Sequence, residues 1–417
     1  MSKILIICSD YMFSSDANGV CVKNLVNELN KRGHSILVIS ESSKSQKLGE
    51  KNNVTIYGVA KPWFKRICEK YENTSGLKKI CFSLIRGFRG IFASVIYPNV
   101  SPVRARRIKK LAERILKTEK IDMVVGIYRP YESIDAVINL SKKNIKKTVF
   151  CTCHYDLIIS PNSKSELVRS YKYRRGLDSL KKEYKYVDHL LIPVSAKELY
   201  PDSLKVDYFD FPLYTNTVSI DTSGFKYDSS VVNIAYIGTI DGKNRRISVI
   251  KNIIEEYNKN SEKKLVLHIW GNIADNHTLR EIESCSDIYF HGLVENKFSS
   301  DLLKRADYCL NLSNAITYNM VPSKIFQLFS VKKPIINIYE NEKDKALPYF
   351  RKNNYTINID SNKSLEDNVN ALKEWMNTDV NRFEWDDSLY EKSKPEYTVN
   401  LLENYLGGDS NDINYEE

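Results

Sequence analysis

The sequence predicts an α/β protein of two domains, each built on a parallel sheet. Three observations lead there. The chain has 417 residues, more than one core usually supports. It carries an apolar run, a helical stretch and a second apolar run near its amino-terminal end. A second alternation of short apolar runs and helical stretches starts at Val231. The hydrophobic share of 42% is enough for two sizeable cores.

Residues 3–8, Lys-Ile-Leu-Ile-Ile-Cys, form a nearly continuous apolar run, as expected of a strand buried on both faces. The run is too short for a signal-peptide core, so a leader is not expected. A polar loop closing on Asp16-Ala-Asn-Gly19 follows. Val22, Leu25, Val26 and Leu29 then fall at helical spacing, and Gly33 supplies the left-handed stop. Residues 35–40 are the next strand. The result is a βαβ unit with its Gly loop at the carboxyl end of the first strand, where open α/β sheets bind ligands. No G-x-G-x-x-G is present, which argues against a dinucleotide fingerprint.

Residues 121–126 and 148–153 read as further strands, the second delivering His154-Tyr-Asp156 to its carboxyl end. A helix over 165–187, rich in Lys, Arg and Tyr, precedes a strand at 189–195. Residues 216–230 are polar and unpatterned, which marks a linker. Strands then fit 231–237, 265–270, 288–291, 308–312, 334–339 and 355–359, separated by helical stretches, so parallel pairing with right-handed crossovers follows. Gly238, Gly271 and Gly292 come at or just past strand ends, where a missing side chain lets backbone approach a ligand. Ser364 and Asp367 make a capping pair for a helix running through Trp375. A terminal helix over 397–406 and an acidic, disordered tail over 407–417 complete the chain.

The most informative stretch is Asn319-Met-Val-Pro-Ser-Lys324, then a helix over 325–331 and a buried strand over 334–338. Pro322 suits the first turn of a helix. Ser323 and Lys324 then stand beside free backbone N–H groups at the positive end of the helix dipole. A hydroxyl, an ammonium and amides converging there form a site for a phosphate oxyanion. Gln327, one turn on, is placed to bond a sugar hydroxyl. The other reading is an ordinary capped surface helix. Lys243, Arg245 and Arg246 also lie at a helix start, where the dipole disfavours cations unless an anion is bound.

Charge is uneven. Residues 61–120 hold sixteen Lys and Arg against four Glu, while the whole chain is only +10. Within this segment Leu84, Ile85, Phe88, Ile91, Phe92, Val95 and Ile96 form a helical apolar stripe, with Lys78, Lys79, Arg86 and Arg89 alongside. Its arginines and length exclude a spanning helix, which needs about 18–20 apolar residues. It reads either as a basic amphipathic helix on an anionic membrane surface or as a helix packed on its own domain. Nucleic acid is not expected as a partner, because no recognised binding motif accompanies the charge. Eight cysteines without zinc-type spacing read as reduced thiols in the core of a cytoplasmic protein, with no metal site.

These features resemble the group 1 glycosyltransferases, whose GT-B architecture sets two Rossmann-like domains across a cleft, with a closing helix crossing back onto the N-domain. The family's Glu-x7-Glu motif precedes a Pro-led strand; aligned on Pro334, its acids fall at Asn319 and Gln327, both amides here. The opening order of strand, Gly loop, helix, Lys-Arg-Gly-His and strand is similar too. The resemblance implies an acceptor-binding domain over 1–212, a linker over 213–230 and a nucleotide-sugar domain over 231–385. Residues 386–406 would pack on the N-domain. It implies Asn18 and Gly19 in the cleft loop, and His154, Asp156 and Asn319 at the reacting centre. His154 would orient a hydroxyl or act on the acceptor proton, or else merely cap a loop. Lys243, Arg245, Ser323 and Lys324 would bind the donor diphosphate, since the family's Arg is Thr239 here. Gly238, Gly292 and Gln327 would meet the nucleotide.

The activity so implied is transfer of a sugar from a nucleotide-diphosphate donor, UDP- rather than GDP-linked. The acceptor would be a cell-surface polysaccharide or a polyprenyl-linked glycan at the inner face of the cell membrane. The configuration at the anomeric carbon would be retained, with no cofactor and no metal. Three alternatives stay open: a GT-B sugar-nucleotide epimerase, an inactive GT-B binding subunit, and a basic nucleic-acid-binding protein.

Overall fold

A computed structural model describes residues 1–8, 17–42, 46–62, 67, 94–99, 101–128, 130–143, 148–154, 166–199, 206–209, 225–316, 318 and 321–407. The chain divides into two compact units, residues 1–213 with 392–417, and residues 214–391. The return to the first unit comes at Lys392, later than the position 386 expected. Most of the expected linker, the apolar stripe over 84–92 and the tail beyond 407 lie outside the described residues.

The first unit carries an eight-stranded sheet in the order β3-β4-β2-β1-β5-β6-β7-β8. Its strands are β1 (Lys3–Ile7), β2 (Ser35–Ser42), β3 (Lys47–Lys51), β4 (Val54–Ala60), β5 (Met123–Tyr128), β6 (Val149–His154), β7 (His189–Pro193) and β8 (Asp207–Phe209). All neighbours pair in parallel except the β3–β4 hairpin. That hairpin was not legible in the sequence, because edge strand β3 is largely exposed and charged. The helices are α1 (Ala17–Lys31), α2 (Pro102–Thr118), α3 (Tyr131–Ser141) and α4 (Glu166–Tyr186). The connections β4–β5, β5–β6 and β6–β7 all advance the same way along the sheet. Right-handed crossovers therefore lay α2, α3 and α4 in one layer, α2 against α3 and α3 against α4. The β1–β2 connection runs the other way and puts α1 on the opposite face. Gly33 ends α1 at φ +87°, with its N–H donating to Asn30 and that of His34 to Leu29 O at 3.1 Å. This is a left-handed helix stop.

The second unit has a six-stranded, wholly parallel sheet in the order β11-β10-β9-β12-β13-β14. Its strands are β9 (Val232–Ile240), β10 (Leu265–Ile273), β11 (Ile288–Phe290), β12 (Tyr308–Leu312), β13 (Ile335–Tyr339) and β14 (Thr356–Asp360). Its helices are α5 (Ser248–Lys259), α6 (Asn276–Glu283), α7 (Asn296–Arg305), α8 (Lys324–Ser330), α9 (Leu347–Arg351), α10 (Leu365–Met376) and α11 (Ser388–Glu391). Ser364 caps α10, its Oγ accepting from Asp367 N at 3.1 Å. The last helix, α12 (Pro395–Gly407), packs on α1 in the first unit. Glu403 anchors it there, 2.6 Å from Arg32 Nη1 and 2.9 Å from His34 Nε2.

A polar seam runs through the second core. Asn311, Asn337 and Asn358 sit in register on β12, β13 and β14. Asn311 Nδ2 donates to Asn337 Oδ1, and Asn337 Nδ2 to Asn358 Oδ1, both at 2.8 Å. A slip of one residue would break both bonds, so the seam fixes strand register. Asn337→Leu should strand a donor on one side and an acceptor on the other, costing about 2–4 kcal/mol. A urea midpoint matching that of the unmodified protein would show that the seam carries no stability.

Candidate functional site

Polar side chains of the second unit gather where β9, β10 and β12 end, the side on which open parallel sheets bind ligands. After β9 the chain turns so that Asp241 and Arg245 form an isolated bridge. Asn314, just past β12, is the joint of the group. Its Oδ1 accepts from Arg245 Nε at 2.9 Å and from Asn244 Nδ2 at 3.1 Å. Asn244 returns two bonds to the β12 loop, accepting from the N–H groups of Ala315 and Ile316. The turn is tied on its other side by Gly242 N, which donates to Asp275 Oδ2 at 3.2 Å and Thr278 Oγ1 at 3.1 Å. Asp275 also caps α6.

Two of the expected cations meet here. Arg245 folds back to donate from Nη1 to Thr239 O at 3.3 Å. Lys324 Nζ donates to Ile237 O at 2.9 Å. Burial, and then the neighbouring Arg245, push the Lys324 ammonium down to about 8. Two cations near one strand end, one of them losing its proton readily, make a pocket of positive charge that an anion would stabilise. Lys243 is exposed beside them. Arg246 turns away to Glu340, 2.7 Å from its Oε1.

The other expected residues described in this unit have partners within it or none. Helix α8 begins at Lys324, and Ser323 caps it without a side-chain bond. The Ile325 N–H is already spent on Pro322 O, so the row of free amides expected there is shortened. Gln327 turns its amide to α7, donating to Ser299 Oγ at 2.8 Å and Ser300 Oγ at 3.0 Å. The strand β9 runs on past Gly238, and two of the glycines, Gly238 and Gly271, make room for a local side chain and for backbone. A Cβ on Gly271 would lie 1.9 Å from Gly238 O, and one on Gly238 would lie 2.7 Å from the Tyr236 hydroxyl. Gly292, at φ +77°, accepts from Gly271 N at 2.7 Å.

In the first unit, Asn18 and Gly19 lie in the first turn of α1 and not in a loop. His154 is fully buried at the end of β6, with Nε2 2.8 Å from Oε1 of the equally buried Glu183 on α4. The imidazole expected at an open strand end is thus turned into the unit against a carboxylate. Asp156 and Asn319 lie outside the described residues. Sequence reasoning missed Asn244, Asn314 and Glu183, which are single polar residues in polar or charged stretches. Among the described residues, no group of three or more His, Cys, Asp or Glu could hold a metal ion. No described helix is long and apolar enough to cross a membrane.

No protein-family model matches the chain, and no curated protein matches it by sequence. By structure it is similar to α,α-trehalose 6-phosphate synthase from Burkholderia multivorans, at 10% identity and a TM-score of 0.58, over 98% of this chain and 99% of that one. It is also similar to the calicheamicin glycosyltransferase CalG4, at 12% identity and a TM-score of 0.51, over 98% and 99%. A UDP-N-acetylglucosamine 2-epimerase candidate from Listeria monocytogenes follows, at 8% identity and a TM-score of 0.50, over 99% and 97%. The likeness to glycosyltransferases of this architecture shows that the chain has the GT-B fold.

Proposed function

We propose that the protein is a glycosyltransferase that takes a sugar from a UDP-linked donor and passes it to a glycan. The observation that carries this reading is the meeting of Arg245 and Lys324 at the carboxyl end of β9. As the glycosidic bond to the donor phosphate breaks, negative charge grows on the leaving diphosphate. Two fixed cations lower that barrier without a metal, because they need no reorganisation when the charge appears. Asn314 holds the guanidinium, and Lys243 is free to approach from solvent. The resemblance to group 1 enzymes supports retention at the anomeric carbon. It also supports a cell-surface polysaccharide or polyprenyl-linked acceptor at the cytoplasmic side of the membrane.

Incubation with radiolabelled UDP-sugars and polyprenyl-phosphate glycans tests the reading. Transfer of label to the glycan is the expected result. Conversion of the donor to its C2 epimer, with no acceptor present, would replace it with the epimerase reading that the Listeria likeness favours. UDP-sugar binding without any product would mean an inactive GT-B subunit.

The basic segment over 61–120 supports a peripheral position at an anionic membrane. Reversing Arg86 and Arg89 to Glu should release the folded protein from anionic vesicles. Unchanged sedimentation with those vesicles would refute the role of that stretch.

A further inference from the structure

Helix α12 and helix α4 both end at the amino-terminal edge of the first sheet, away from any strand end that binds ligand. Tyr405, in the last turn of α12, stacks on His189 with ring centres 3.5 Å apart and planes 8° apart. Its hydroxyl donates to Asp207 Oδ2. His189 and Asp207 are the first residues of β7 and β8, which places the end of α12 at that edge. Helix α4 stops at Tyr186, three residues before His189.

Four lysines crowd the same end of the α3–α4 layer. Lys142 follows α3 as its C-cap, and Lys181, Lys182 and Lys185 stand near the end of α4. All four are exposed. Lys142 Nζ lies 4.4 Å and Lys185 Nζ 5.6 Å from the centre of the Tyr186 ring, so two cations share one aromatic partner. Among the described residues none of the four lysines has an ion pair. The adjacent acid, Asp188, is engaged elsewhere, its Oδ2 accepting from Phe150 N at 2.7 Å. A lysine at a helix end complements the dipole, which accounts for Lys142 and Lys185 singly. It does not account for two helices bringing unneutralised charge to one ring.

The chain itself carries the opposite charge. Residues 408–417, beyond α12, hold Asp409, Asp412, Glu416 and Glu417 and no Lys or Arg. A segment of that length reaches at most about 33–36 Å. The α4 lysines span about one helical turn, roughly 6 Å, so reach is not limiting.

We propose that the acidic residues 408–417 dock on the cluster of Lys142, Lys181, Lys182 and Lys185 as a clasp at the end of α12. Four carboxylates then meet four ammonium groups. Each exposed pair is weak alone. The covalent tether raises the effective concentration of the acids, so weak pairs suffice together. The clasp closes the cluster to other anions and secures the helix on which the chain returns from the second unit. It is independent of the choice of sugar donor.

The test uses the full chain as an equal mixture of light and heavy isotope-labelled protein. Carbodiimide, which joins a carboxylate to a contacting amine, should form isopeptide bonds between the tail acids and these lysines within single chains. Acetic anhydride gives a second readout. Asp409→Asn, Asp412→Asn, Glu416→Gln and Glu417→Gln together should raise acetylation of the four lysines at least about threefold at low salt. Lys263, exposed in the second unit, should not change. In about 0.5 M salt, where the screening length falls to about 4 Å, the two proteins should react alike. Circular dichroism checks that the variant is folded. Equal acetylation of the four lysines in both proteins at low salt would overturn the proposal. Bonds that join only light to heavy chains would also overturn it, assigning the cluster to a second copy, as would tail bonds to lysines elsewhere.

Discussion

Lys324→Ala should weaken UDP binding about ten- to a hundredfold, because a charge-assisted contact to phosphate is worth about 1.5–3 kcal/mol. Uridine lacks the phosphates, so its affinity should barely change. The proton balance gives a sharper readout. Burial and Arg245 hold the free ammonium near 8, and a bound diphosphate would raise it again. At pH 8 the empty site is about half protonated and the filled site almost fully, so UDP should take up about half a proton. At pH 6.5 the uptake should vanish, since Lys324 is already charged in both states. Calorimetry in buffers of different ionisation enthalpy measures this directly. The same lowering governs stability. A Lys depressed in the folded state holds fewer protons than in the unfolded chain between about pH 8 and its ordinary 10.5, so stability should rise with pH across that window. Lys324→Met should flatten that rise. Equal UDP affinity in wild type and Lys324→Ala, with no proton uptake at pH 8, would place the phosphate site elsewhere.

How far the sequence reaches is visible in the same residues. The strand over 308–312 coincides with β12, because five residues bounded by polar ones leave its ends little freedom. Strand β9 runs three residues beyond the expected Ile237, since Gly238, Thr239 and Ile240 pair with Gly271, Asn272 and Ile273. That continuation is backbone pairing, which side-chain pattern does not report. Arg245 and Lys324 were legible singly, as cations near a strand end and a helix start. Their meeting was not, because it depends on which strands are neighbours, and β9 pairs with β12 across more than sixty residues of sequence. Asn314 was invisible for the same reason. His154 was placed correctly at a strand end, but nothing in the sequence told that Glu183 would close over it.

The other large effect concerns the three glycines. Gly271 sits at φ +140°, and a Cβ there would come within 1.9 Å of Gly238 O, a backbone atom held by the β9–β10 ladder. No side-chain rotation relieves that contact, so the two strands must part. Gly271→Ala should therefore lose more than about 3 kcal/mol, the sum of left-handed strain and overpacking. Gly292 is the internal control. Its φ of +77° is unfavourable for Ala as well, but a Cβ there meets nothing within 4 Å. Gly292→Ala should cost only the conformational part, about 1–2 kcal/mol. The Gly238 carbonyl lies on the residue after Ile237, whose own carbonyl receives Lys324. Parting β10 from β9 at this point should thus disturb the cation site too, and Gly271→Ala should lose UDP affinity while Gly292→Ala loses less. Thermal melts and UDP titrations of both variants decide it. Equal destabilisation by the two would show that the close approach of Gly271 to Gly238 does not hold the end of β9 in place.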